Sequence, residues 1–343
     1  MHIHVTIPRG TTRESFIPAR AMDALEAFGT VTCNPGDTPY DSVALGRALA
    51  DADIAVTGWG SLPFTAGVLD AAPQLKLIAH TGGTVAPIVT PALYDRGVRV
   101  ISGNEVFAES VAEGTVAYML AALRRLPQYH ARVLAGGWNE NGPNEGLLDQ
   151  TVGLIGFGAT GRYLAPMLRA FRARVWAYDP YVPDEVFERL GVTRVGAPEE
   201  IFRACRIVSL HLPRVPETYH LVNAELLALM QPGALLVNTA RGSVLDEAAL
   251  AEALRAGRIH ALLDVFEREP LPPDSPLRGL DNCILIPHMA GPTRDRFPRV
   301  TLALCADIAR FRAGQPLELE ITRDRAFAMT DDRLPLGNKP LYG

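Results

Sequence analysis

The chain has 343 residues, 48% of them hydrophobic and 21% charged, with a net charge of −5 and a pI near 5.9. That length exceeds what one hydrophobic core organises, so two domains are expected, and the composition is that of an ordinary soluble globular protein. The acidic balance, without a dense Lys/Arg block, excludes a nucleic-acid footprint; no signal peptide and no apolar run of membrane-spanning length are expected, so no membrane partner is either.

In chain order, short apolar strands alternate with amphipathic helices, the pattern of an α/β protein with parallel sheets. Strands are expected at "MHIHVTIP", "DIAVTGWG", "LKLIAHTGG" and "GVRVISGN", with helices such as "ARAMDALEAF" and "SVALGRALADA" between them. His2 and His4 share one face of the first strand, but two imidazoles alone make a poor metal site and no metal is expected. A helix over 108–126, apolar round much of its circumference, is expected to be buried on two sides, against its own domain and a second subunit. The Gly/Asn-rich connector "AGGWNENGPNEG" then leads into a second run of strands: "TVGLIGFG", "ARVWAYDP", "CRIVSLHLP", "GALLVNTARG", "IHALLDVF" and "CILIPHMAG". Cys33, Cys205, Cys283 and Cys305 form no C-x-x-C pair and fit the reduced thiols of a cytoplasmic protein. The tail after about residue 325 has weak periodicity and is expected to wrap or fray.

The second run opens with a dinucleotide signature. Gly156-x-Gly158-x-x-Gly161 follows an apolar strand and enters a helix, with Ala159 and Thr160 inside the motif. Gly156 permits a tight turn, Gly158 lets backbone approach a pyrophosphate, and Gly161 lets helix and strand pack closely. The phosphates then meet the positive end of the helix. Asp179, at the end of the next strand, is placed to accept from ribose hydroxyls. Its charge would repel the extra phosphate of NADP, and no Arg stands at Pro180 or Tyr181 to receive one. NAD is therefore the expected cofactor. Pro166 inside the helix costs about 3 kcal/mol unless the helix kinks, and Arg172 occupies the end where Gly is more comfortable; a kink and a poorer cap are expected.

The strand "GALLV" delivers Asn238, Thr239, Ala240 and Arg241 at its C-terminal end, the edge where open α/β sheets bind ligands. A guanidinium beside a core strand calls for an anion. Two further strands end in Glu269 and His288. One fixed cation, one acid and one histidine beside a dinucleotide suit reduction of a 2-keto acid. Arg241 would hold the carboxylate, and His288 would donate the proton while Glu269 keeps it charged.

The segments "LIGFGATG…AYDP", "HLPRVPET", "LLVNTARGSVLDEAALAEAL", "ALLDVFEREP" and "IPHMAGPT" resemble the NAD-dependent D-isomer-specific 2-hydroxyacid dehydrogenases, continuously from about 105 to 295. The resemblance implies two Rossmann-like domains with an active-site cleft between them: 1–103 plus 292–343 for substrate, and 104–291 for NAD, with crossings near Gly103 and Pro292. It implies that Asp264 meets the nicotinamide carboxamide, that Thr239 and Ala240 line the nicotinamide side, and that His211, Pro213 and Thr218 lie along the adenosine half. It also implies a homodimer joined through the helix at 108–126. The family's substrate loop often runs Gly-x-Gly-x-Asp or Asn; here "HTGGTVAP" has Gly82 and Gly83 and no acid or amide, leaving backbone N–H groups to cradle a carboxylate. Trp59, in "TGWGSLP", either narrows the pocket or packs under its loop. Two rivals share the architecture. Formate dehydrogenases pair their histidine with Gln, so Glu269 argues against them. An NAD(H)-sensing binding protein of the corepressor type keeps the same three residues and stays open.

Overall fold

The computed structural model describes residues 1–139, 142 and 144–333. They form two compact units, Met1–Phe107 with Pro292–Arg333, and Ala108–Gly291. The tail at 334–343 and part of the Gly/Asn-rich connector lie outside the described residues.

The first unit holds a five-stranded sheet of β1 (His2–Val5), β2 (Thr30–Cys33), β3 (Ile54–Thr57), β4 (Leu77–His80) and β5 (Arg99–Ser102), in the order β2-β1-β3-β4-β5. Every pairing is parallel. Parallel strands are covered on both faces, which is why β3 and β4 are buried at all four positions. One face packs Phe64, Leu69, Ile78 and Ile88; the other packs Ile3, Val5 and Phe16 against Val300 and Leu304. The last two come from the helix Phe297–Arg312, so the C-terminal segment completes this unit. Beyond that helix, Glu320 bridges Ile101 and takes a two-pronged ion pair from Arg99, at 2.7 and 2.6 Å. β2, a half-exposed edge strand of sequence TVTC, is not among the strands expected from the sequence. His2 and His4 turn ring nitrogens to Thr32 Oγ1, each at 2.8 Å.

The second unit holds β6 (Thr151–Ile155), β7 (Arg174–Tyr178), β8 (Thr193–Arg194), β9 (Ile207–Leu210), β10 (Leu235–Asn238), β11 (His260–Leu263) and β12 (Cys283–Leu285). Their order is β12-β11-β10-β9-β6-β7-β8, again parallel throughout. The order reverses between β6 and β9, and ligands bind outside the carboxyl ends of strands at such a switch point. The helix expected at 108–126 runs Asn104–Leu123; Arg125 then takes a left-handed φ of 54° and a second helix, Leu126–Leu134, begins. By length and composition the first helix could cross a membrane, contrary to the expectation that no run reaches that length. In the fold, its Ala112, Met119 and Leu123 belong to the core with Leu154 and Leu164. The helix after β6, Ala159–Ala170, continues through Pro166. Arg172 does go left-handed, at φ 56°, and its guanidinium grips Asp149 with two 2.9 Å bonds.

Candidate active site

The glycine motif sits at the switch point of the second sheet, between β6 and its helix. Gly156 takes φ 94° and a Cβ there would lie 2.7 Å from His211 O, so the turn requires glycine. A Cβ on Gly161 would meet Gly156 O at 3.0 Å, whereas one on Gly158 would meet nothing within 4 Å. The space beside Gly158 is thus open. Ala159 and Thr160 form the first turn of the helix, which has no side-chain cap, leaving its N–H groups for an anion. Asp179 accepts from Phe157 N–H at 2.8 Å and Tyr181 N–H at 2.9 Å, which ties its carboxylate to the glycine loop. These features fit a dinucleotide. Arg194 of β8 also reaches Asp179, through its carbonyl at 3.3 Å, but pairs with Asp184 and lies over the Phe187 ring. Nothing in the residues directly after Asp179 announces it.

The loop after β9 carries His211, Pro213 and Thr218. His211 Nε2 bonds Ser209 Oγ at 2.9 Å, and burial pushes its pKa down to about 4, so the ring is neutral. The Thr218 hydroxyl donates to Pro213 O at 2.6 Å and closes the loop.

Three successive strands, β10, β11 and β12, end in the reacting groups. His288 Nδ1 and Glu269 Oε2 are 2.7 Å apart, and Glu269 Oε1 accepts from Phe266 N–H at 3.0 Å. The hydrogen bond that His288 donates to Glu269 raises the His288 pKa above its ordinary value, against burial; the Glu269 charge adds to the rise and the Arg241 charge opposes it. Burial pushes Glu269 up, yet the bonds from His288 and Phe266 and the charges of His288 and Arg241 hold it below the usual carboxylate range. With Nδ1 committed to Glu269, Nε2 is the nitrogen left to give or take a proton. Arg241 makes no ion pair among the described residues; its side chain donates from Nη1 to Ala240 O at 2.6 Å. The guanidinium therefore keeps its fork for an incoming anion.

What holds Arg241 there was not visible in the sequence. Asn238 receives Ala240 N–H on its side-chain oxygen (3.0 Å) and gives its amide to Arg241 O (3.0 Å), folding the chain sharply after β10. Gly242 then presses on the next strand end: a Cβ would fall 1.8 Å from Phe266 C and 2.2 Å from Glu267 N. Asp264, buried at the end of β11, accepts from Met289 and Ala290 N–H at 2.7 and 2.9 Å and so ties down the loop bearing His288. Thr239 and Ala240, at the end of β10, are buried as well.

Gly82, Gly83 and Trp59 belong to the first unit. A Cβ on Gly82 would lie 2.4 Å from His80 Nε2 and 3.2 Å from Trp59 Nε1. His80 is buried and bonds Thr57 Oγ1 at 2.9 Å; burial lowers its pKa to about 4. Trp59 meets Phe16, Phe107 and Phe297 edge-on, at 5.2, 6.0 and 6.2 Å, yet stays 52% exposed, so it packs on its loop while offering an open face.

A doubly wound sheet with a glycine turn at its switch point, and a His–Glu pair beside an arginine that has no ion pair among the described residues, define a dinucleotide-binding architecture. The family model for the D-isomer specific 2-hydroxyacid dehydrogenase, NAD binding domain, matches residues 116–290. A D-3-phosphoglycerate dehydrogenase of Methanocaldococcus jannaschii is 38% identical over 300 residues, 87% of this chain and 56% of that protein. A glyoxylate reductase of Korarchaeum cryptofilum is 32% identical over 310 residues, 89% of this chain and 92% of that one. Among solved structures, the TT0316 protein from Thermus thermophilus superposes with a TM-score of 0.74 at 31% identity, covering 94% of this chain and 100% of that one. The chain belongs to the D-isomer specific 2-hydroxyacid dehydrogenase family, with NAD as its cofactor. It spans about half the length of the phosphoglycerate dehydrogenases it matches.

Proposed function

We propose that this protein transfers a hydride reversibly between NAD(H) and a small 2-keto or D-2-hydroxy acid. The observation that carries the reading is the 2.7 Å His288–Glu269 pair, with a raised His288 pKa, beside an Arg241 that pairs with no carboxylate among the described residues. Bound NADH supplies the hydride. Arg241 grips the substrate carboxylate with its planar fork. Protonated His288 gives its Nε2 proton to the carbonyl oxygen as hydride reaches the carbon, and Glu269 stabilises the imidazolium beforehand. In the oxidation direction neutral His288 takes the hydroxyl proton. Backbone N–H groups at Gly82 and Gly83, with Trp59 beside them, are proposed to contact the substrate. Asp264 is proposed to meet the nicotinamide carboxamide, with Thr239 and Ala240 lining the nicotinamide side. His211, Pro213 and Thr218 are proposed along the adenosine.

The test is NADH oxidation against a panel of 2-keto acids, glyoxylate, pyruvate and 3-phosphohydroxypyruvate among them. Rapid turnover with one of them supports the reading. Tight NADH binding without turnover on any would leave a cofactor-sensing protein instead.

A homodimer is proposed as the working assembly. Leu126, Val133 and Leu134, on the helix that follows Asn104–Leu123, are 56, 51 and 75% exposed, an apolar surface that a second copy would cover. Sedimentation equilibrium giving a monomer at micromolar concentration would refute it. Four free cysteines fit a reducing compartment such as the cytoplasm.

A further inference from the structure

The helix Asn104–Leu123 meets three strand ends of the second unit with one face. Gly114 and Thr115 stand four and three positions before Tyr118 and so each neighbour it on that face. At Gly114 the helix backbone lies against the loop after His288: a Cβ would fall 2.9 Å from Ala290 O and 3.1 Å from Ala290 Cα. Thr115 gives its hydroxyl proton to Val111 O at 2.7 Å, so at the 3.0 Å contact with Thr239 it is Thr239 that donates. Thr239 is two residues before Arg241. Tyr118 donates its hydroxyl to Asp264 Oδ1 at 3.2 Å.

The third contact bears on the proton donor. His288 is held at φ 52°, a left-handed conformation that residues other than glycine rarely adopt. Three bonds to one residue keep it there: His288 N–H to Asp264 O at 2.8 Å, and Met289 and Ala290 N–H to the Asp264 carboxylate. Among the described residues, Tyr118 is the one donor to that carboxylate from outside the loop it restrains. Burial, with the Asp264 charge and hydrogen bond adding to it, pushes the Tyr118 phenol up, so it remains protonated and a donor.

We propose that Tyr118, seated by Gly114 and backed by Thr115, is a positioning residue for the proton donor: it fixes Asp264, and through Asp264 the left-handed His288 that pairs with Glu269. The helix thereby sets the strand end bearing Arg241 and the loop bearing His288 from one rigid face. This rests on the reading of His288 as proton donor, but its test does not need turnover.

The groups acting on the His288 imidazole are Glu269, Arg241 and Asp264. If Tyr118 holds that arrangement, removing its hydroxyl lets the loop relax, the Glu269 contact weakens, and His288 titrates at lower pH. The experiment follows the eight histidines of the full chain by NMR, with His288 assigned through His288→Gln. In Tyr118→Phe the His288 midpoint is expected to fall while those of the other histidines stay. Thr115→Val is expected to move it less, and Thr115→Ser to restore it. With an active substrate, Tyr118→Phe should lower kcat for reduction roughly tenfold, with KM for the keto acid little changed. An unmoved or rising His288 midpoint in Tyr118→Phe overturns the proposal, even in an active enzyme. A falling midpoint in a protein that reduces no 2-keto acid supports it while the functional reading fails.

Discussion

Replacing Gly242 by Ala tests whether close packing of two strand ends is what presents Arg241. The new methyl would start 1.8 Å from Phe266 C, and ordinary contact begins near 3.4 Å, so one segment must retreat by about 1.6 Å. The three atoms it would meet, Phe266 C and O and Glu267 N, are all backbone, so no rotamer change can relieve the conflict. Overpacking of this kind costs about 1–3 kcal/mol, and each kcal/mol lowers Tm by about 2–4 °C in a domain of this size. The effect on rate should be larger. Whichever side yields, Arg241 moves relative to Glu269 and His288, and a misplacement of about 1 Å can cost about 100-fold. The assay is kcat/KM for the best 2-keto acid, NADH affinity by fluorescence, and thermal melting. We expect at least about a 100-fold loss in kcat/KM, a lower Tm, and NADH affinity near that of the unaltered protein, because the glycine loop at 156–161 is untouched. Activity within about threefold of the unaltered protein would refute the idea that this approach positions the arginine.

Arg241→Lys keeps the charge and loses the fork, so keto-acid turnover should fall by about two orders of magnitude with NADH binding nearly intact, whereas retained activity would make Arg241 structural. The unaltered protein should prefer NADH to NADPH, and Asp179→Asn should narrow that preference by weakening NADH about tenfold, the effect of a lost charge-assisted hydrogen bond; an equal rate with NADPH in the unaltered protein refutes the reading. Glu269→Gln removes the group that raises the His288 pKa. Reduction needs protonated His288, so its rate falls as pH rises through that pKa, and the falling limb should move to lower pH in the variant. The rising limb for oxidation, which needs neutral His288, should move the same way, and limbs that stay put in paired pH–rate profiles would remove Glu269 from its role.

The strand ends were legible because their signals are local. "TVGLIGFG", "GALLVNTARG" and "IHALLDVF" are each an apolar run stopped by polar residues, so β6, β10 and β11, with the glycine turn and Arg241 at their ends, follow from one stretch of chain apiece. The weak strands escaped for the complementary reason. β2 and β8 lie at sheet edges, half-exposed or exposed, and have no apolar run to announce them. Nor could a local reading find partners far along the chain. Gly242 looks like a loop glycine until Phe266 is seen against it, and Arg194 is invisible beside Asp179 until β8 pairs with β7.

The helix Asn104–Leu123 shows the limit most clearly. Its hydrophobicity is spread so evenly that no polar face marks where it meets the site, and its composition alone would pass for a membrane span. Yet Thr115 and Tyr118 inside that apolar surface find Thr239 and Asp264 at separations of 124 and 146 residues. On the buried side of such a helix a polar group must find a partner, and a partner so far along the chain is chosen by topology alone. A tyrosine or threonine in an otherwise apolar helix of a doubly wound protein is therefore best read as an unanswered hydrogen bond. The place to look for its answer is the C-terminal edge of the sheet, where loops carry carboxylates and hydroxyls that chemistry requires to be held still.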